Sequence, residues 1–136
     1  MAKKTWQEKF DSDKPHQVKI IEKRFADMPE GTKMFIATPK IIDAYINHIP
    51  KGVEVDVQTM RKDLAAEYDA EMTCPVTTSI FLRVVAEVAL EKHQQGAVLD
   101  KITPFWRVVK SRSPLAKKLS CGTEFINELR TKENLS

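Results

Sequence analysis

The stretch from Pro75 to Gln95 constrains the fold of this chain more than any other. Ile80, Phe81, Val84, Val85, Val88 and Ala89 recur at the three- and four-residue spacing of a helix and form a wide apolar stripe. A stripe of that width has to be covered, so the segment is expected to be the central core helix, starting between Pro75 and Thr78 and stopped by Gly96. Its exposed face is read as Arg83, Glu87 and Glu91, with Arg83 and Glu87 one turn apart and able to pair. At its N-terminus Thr77, Thr78 and Ser79 place hydroxyls beside free backbone N–H groups and the positive end of the helix dipole. An anion can sit there, or the hydroxyls simply cap the helix.

The segments on either side fall into short elements. Thr38-Pro39 is a cap residue followed by proline at the first helical position, and Ile41, Ile42, Tyr45, Ile46 and Ile49 continue at helical spacing until Pro50-Lys51-Gly52 stops them. Val53 to Val57 alternates apolar and acidic residues as a short extended stretch would, and a further helix runs from Thr59 through Met60, Leu64, Ala65 and Tyr68. Before Thr38, Val18-Lys19-Ile20 and Met34-Phe35-Ile36-Ala37 read as two strands separated by the turn residues Met28-Pro29-Glu30-Gly31, and residues 1–16 as a polar arm holding Trp6 and Phe10. Pro104-Phe105-Trp106-Arg107-Val108-Val109 reads as a strand, Ser113-Pro114 as the start of a turn or short helix, and Gly122-Thr123 as the opening of a last helix that carries Phe125, Ile126 and Leu129. The expected fold class is α+β: an arm with short strands over residues 1–37, then a winged helix-turn-helix-like helical domain over 38–136.

Composition narrows the function. With 136 residues, 42% of them hydrophobic and 30% charged, the chain has apolar side chains enough for one core. No apolar run approaches the ~20 residues of a membrane span, and the N-terminus leads into charge, so a soluble, cytoplasmic protein is expected. Cys74 and Cys121 lie far from each other and from His16, His48 and His93, which supports neither a disulfide framework nor a zinc site; no cofactor is expected. The net charge of +3 is unevenly spread, because residues 101–123 carry Lys101, Arg107, Lys110, Arg112, Lys117 and Lys118 and no acidic residue. A basic segment interleaved with Phe105 and Trp106 suits a polyanionic partner, although many such segments are only solvated loops.

Taken in order, several of these pieces resemble the C-terminal domain of the methylated-DNA protein-cysteine methyltransferases, which remove alkyl groups from guanine O6 in DNA. The resemblance runs from Ile41 to Glu133. Ile49-Pro50-Lys51-Gly52 matches the family's Ile-Pro-x-Gly turn, Leu64-Ala65 its Leu-Ala, Pro104-Phe105-Trp106-Arg107-Val108-Val109 its Pro-Cys-His-Arg-Val-Val motif, and Cys121-Gly122 its Gly-Gly pair. Glu133 stands where the family has the glutamate that orients its histidine through a water.

The departures decide what the resemblance implies. In the family the cysteine accepts the alkyl group as a thiolate and the histidine takes its proton. Phe105 and Trp106 occupy those positions and can do neither, so no alkyl transfer is expected, and Glu133, without the pair it orients, is expected at the surface. Ser79 stands by spacing in place of the family's intercalating arginine, Val57 near its phosphate-rotating tyrosine and Ala97 in place of its asparagine, so the residues for base flipping in the family's manner are missing. Arg107 matches an arginine that supports the family's fold. The resemblance thus implies a non-catalytic, alkyltransferase-like protein linked to DNA repair. It would bind duplex DNA weakly and without sequence choice through Thr77, Thr78, Ser79, Phe105, Trp106, Lys110, Arg112, Lys117 and Lys118. Two large rings at the former acceptor position are expected to fill the pocket there. Two alternatives stand beside it: a protein-interaction module that binds no nucleic acid, and a thiol-dependent activity at Cys74, where the helix dipole would favour a thiolate but a small buried cap residue is the commoner outcome.

Overall fold

The structure, a computed structural model, describes residues 4–135; Met1, Ala2 and Lys3, which open the charged N-terminus, and Ser136 lie outside them. It begins with a single-turn helix α1 (Trp6–Phe10), closed by a capping box in which Thr5 Oγ1 accepts from Glu8 N and Thr5 N donates to the Glu8 carboxylate. Strand β1 (Gln17–Ile20) pairs antiparallel with β2 (Lys33–Ile36), Gln17 facing Ile36 and Ile20 facing Lys33. Helices α2 (Pro39–Asn47) and α3 (Val57–Glu67) follow, capped by Thr38 and Asp56, whose side chains accept from Ile41 N and Thr59 N. The Asp56 cap starts α3 two residues before Thr59 and leaves only part of the Val53–Val57 stretch extended.

Between α3 and α4 (Pro75–Gln94) lies a two-residue strand β3 (Met72–Thr73), which joins β2 in parallel and completes a sheet of order β1-β2-β3. Glu71 N donates to Lys33 O and Cys74 N to Phe35 O, both at 2.8 Å. Two residues have no periodicity to read, so this strand is visible only once β2 is beside it. The fold is therefore mixed α+β, with six α-helices and one three-stranded sheet among the described residues.

The central place of α4 is as expected: Leu82, Val84, Val85, Ala86, Val88, Ala89 and Leu90 are all buried. Its polar face is not. Helix α4 is covered almost all round beyond its second turn, so Glu87 is 3% exposed and its carboxylate accepts from Ser120 N and from Ser120 Oγ, holding the loop before α6 (Thr123–Lys132). Arg83 does not pair with Glu87; one of its terminal nitrogens donates to Lys118 O, and the guanidinium lies 5.1 Å from the Trp6 ring centroid.

The strand expected over Pro104–Val109 is a tight 3-10 turn, Phe105–Arg107, with Arg107 N donating to Pro104 O and both Val108 N and Val109 N to Phe105 O. Phe105, Trp106, Val108 and Val109 are all buried. A strand would send alternate side chains to opposite faces, whereas a turn directs four nearly consecutive apolar residues into one core. Helix α5 (Pro114–Lys118), capped by Ser113, and the short turn Leu99–Lys101 complete the chain. Phe35 from β2, Ile42, Leu64, Leu82, Phe105 and Ile126 share the main core.

Candidate functional site

The first three turns of α4 form part of a cleft of about 750 Å3. The rest of its lining comes from α1 and the loop after it, β1, the β2–α2 junction and α5. Among the described residues, six basic side chains, Lys4, Lys9, Lys14, Lys19, Arg83 and Lys118, border it, and no aspartate or glutamate does. A concave surface of one charge sign focuses its field and raises the local concentration of counter-ions, here anions. Apolar surface from Ile80, Leu115 and Trp6 lies among the cations.

Helix α1 is seated on α4 through Trp6, whose ring has Lys9 Nζ at 4.5 Å and the Arg83 guanidinium at 5.1 Å from its centroid. Thr77 Oγ1 and Arg83 Nε are buried from solvent and have no hydrogen-bond partner among the described residues. A smaller pocket of about 330 Å3 shares Ser79, Pro114 and Leu115 with the cleft and adds Lys110 and Asp56. Asp56 is held below the usual carboxylate range mainly by its bonds from Thr59, with Lys110 and Lys62 adding a smaller pull.

Of the residues singled out in the sequence, Thr77, Ser79 and Lys118 come together in this cleft, and Lys110 lies in the pocket beside it. Arg112 and Lys117 are exposed and border neither. Thr78 drops out, because it is buried and its hydroxyl donates to Cys74 O four residues back at 2.6 Å. Phe105 and Trp106 drop out as surface contacts as well; they pack edge to face at 5.4 Å and fill the core. The arm lysines and Arg83 are the cations that the sequence reading missed. Lys4, Lys9, Lys14 and Lys19 recur at five-residue intervals, a regularity masked by the acids Glu8, Asp11 and Asp13 between them.

A second polar cluster lies in the interior. Glu133 is buried, contrary to its expected place at the surface. Its carboxylate accepts from Trp106 Nε1 at 2.7 Å, from Arg107 Nε at 2.9 Å, from a second Arg107 nitrogen at 3.1 Å and from Gly52 N at 2.9 Å. Arg107 also donates to Ile49 O at 2.7 Å. Beside it Arg130 donates to Trp106 O and pairs with Glu54. Burial pushes the Glu133 carboxyl up, but the Arg107, Gly52 and Trp106 bonds together with the Arg107 charge outweigh it and hold the group below its ordinary value. The residues that the resemblance places at the reaction centre thus tie the turn after α2, the Phe105–Arg107 turn and the C-terminus together.

Cys74 is buried at 5% exposure in a satellite cluster with Met28 and Met34, which closes the route a substrate would need to reach its sulfur. Cys121 is partly accessible, and burial raises its thiol above the ordinary value. Under native conditions a thiol reagent is expected to modify Cys121 slowly and Cys74 only after unfolding; mass mapping after timed alkylation checks this. No group of His, Cys, Asp and Glu side chains fit to hold a metal ion occurs among the described residues, and none of their helices is long and apolar enough to cross a membrane. Compared with protein-family models, curated proteins and solved structures, the chain has no significant match.

Proposed function

We propose that this chain is a non-catalytic DNA-binding protein, alkyltransferase-like in plan, with the basic surface around α4 and α5 as its phosphate-binding face. The observation that carries the reading is the cleft bordered by six basic side chains and no carboxylate, because non-specific affinity for DNA is largely phosphate neutralisation. The resemblance is supported by the direct bond from Trp106 to Glu133, which joins the two positions that the family links through water. The alkyl-accepting position is held by Phe105, and neither cysteine hydrogen-bonds to Trp106 or Glu133 among the described residues. The protein would mark or shield DNA and leave the chemistry to others.

Fluorescence anisotropy with a labelled duplex at two salt concentrations tests this. Three or four phosphate contacts predict a log–log salt slope of about −3 to −4, and Arg112→Ala should reduce it by about one. Because Glu87 is buried on Ser120, Glu87→Ala perturbs the fold and is no test of the interface. A flat response in low salt would favour an interaction module, for which the exposed Val18, Ile20 and Phe25 of the β1–β2 hairpin region are the apolar surface.

A further inference from the structure

Resting on that nucleic-acid reading, we propose that the cleft between the N-terminal arm and α4 holds a single unpaired polynucleotide strand, so that the protein prefers single-stranded to duplex DNA. A duplex is engaged by a convex element, a helix or ribbon that enters its groove, with cations placed to meet the flanking phosphates. The tip of α4 does not have that character. Its exposed residues are Val76, Ser79 and Ile80, and its first cation, Arg83, faces the cleft and the Trp6 ring.

The charge is instead placed on a concave surface, four of its six cations coming from the arm and β1 and two from α4 and α5. Proteins that hold single strands combine a positive groove for the backbone with apolar faces for the bases, since every unpaired base exposes a face that a duplex hides. The cleft has both: lysines spaced along the arm, and Ile80, 54% exposed, with Leu115 and Trp6 in the same lining. Its volume of about 750 Å3 is on the scale of pockets that enclose small organic ligands, so a few nucleotide units can lie inside it, whereas a duplex would meet only the cations at its rim. The arm, which the resemblance does not cover, thereby becomes half of the binding site.

The test is a titration of the full chain with a labelled oligonucleotide of about sixteen nucleotides, as a deoxy strand, as the ribo strand of the same sequence and as the blunt duplex. We expect the better of the two strands to bind at least about tenfold more tightly than the duplex, the comparison of the two identifying the natural strand. The double variant Lys9→Glu/Lys14→Glu should weaken strand binding about tenfold or more, and duplex binding by a clearly smaller factor. Lys14→Glu/Lys19→Glu, which leaves the Lys9–Trp6 contact in place, should do the same, and thermal melts of both variants should match the parent. Duplex binding as tight as strand binding, or an equal loss on both from the arm variants, overturns the strand proposal and leaves the DNA reading standing. Absence of salt-dependent binding to all three overturns both.

Discussion

Replacing Glu133 by alanine is expected to lower the unfolding free energy by about 3–5 kcal/mol, the cost of removing one partner from a buried, hydrogen-bonded ion pair. The Glu133 side chain is 6% exposed and that of Arg107 13%, so water cannot take the carboxylate's place. Without it the Arg107 guanidinium keeps only its bond to Ile49 O, and Trp106 Nε1 and Gly52 N lose their acceptor. Glu133→Gln keeps an acceptor oxygen and should cost less. The pH dependence has a definite sign. A carboxyl whose folded value lies below its unfolded value of about 4.3 binds fewer protons when folded, so it stabilises fully above that pH. The contribution is lost as pH falls through the folded value. Urea titrations of wild type and Glu133→Ala should therefore differ most near neutral pH and converge in acid. A loss below about 1 kcal/mol at pH 7 would show the cluster to be peripheral to stability.

Arg61→Ala is expected to cost about 2–4 kcal/mol, and Asp27→Ala at most about 1, although the two residues form a bidentate pair. The asymmetry follows from burial. Arg61 is 4% exposed; its Nε donates to Thr73 O at 2.9 Å, and its terminal nitrogens reach Asp27 Oδ1 and Oδ2 at 2.9 Å and Gln58 Oε1 at 2.8 Å. Thr73 Oγ1 returns a bond to Arg61 O, so α3 and β3 are joined at both ends of one residue. Removing the guanidinium leaves the Thr73 carbonyl without that donor inside the protein, whereas removing the Asp27 side chain, 45% exposed, opens its place to water and leaves the guanidinium on Thr73 O and Gln58 Oε1. Lysine should rescue little, because one ammonium cannot span three partners held in a fork. Arg61 mainly accounts for Asp27 being held at about 2, so the pair weakens only in strong acid. Chemical denaturation gives the two costs, and amide exchange at Cys74 N, which β2 holds through Phe35 O, should report the loosened β3.

Helices α2, α4 and α6 were legible in the sequence because each has a start or stop signal and an apolar set at helical spacing: Thr38-Pro39 with Ile42 and Ile46, the stripe ended by Gly96, Gly122-Thr123 with Ile126 and Leu129. The first two strands were legible from a different signal, the alternation at Val18–Ile20 and the short apolar run at Met34–Ala37 on either side of turn residues. The basic character of residues 101–123 was legible too, since charge needs no geometry to be read, and Lys110 and Lys118 do border the two pockets. The apolar run at Phe105 was legible as buried material and misread as a strand, because composition reports that residues go inside and not which backbone path takes them there.

What the sequence by itself determined is thus the local part of this protein: where helices begin, which residues are apolar, where positive charge accumulates, and that Phe105 and Trp106 leave no acceptor or base at the resembled centre. Only the tertiary structure decided how distant groups meet. Glu87 became a buried acceptor because the Ser120 loop folds over α4, and Glu133 became the centre of a polar cluster because Gly52, Trp106 and Arg107 converge on it. Four lysines of the arm and β1 came to border one cleft with Arg83 because α1 packs on α4 through Trp6 and β1 pairs with β2 beside it. Local signals depend on spacings of a few residues, which sequence order preserves. A hydrogen bond or a shared electrostatic field depends on distances of a few ångströms between segments that sequence order leaves far apart.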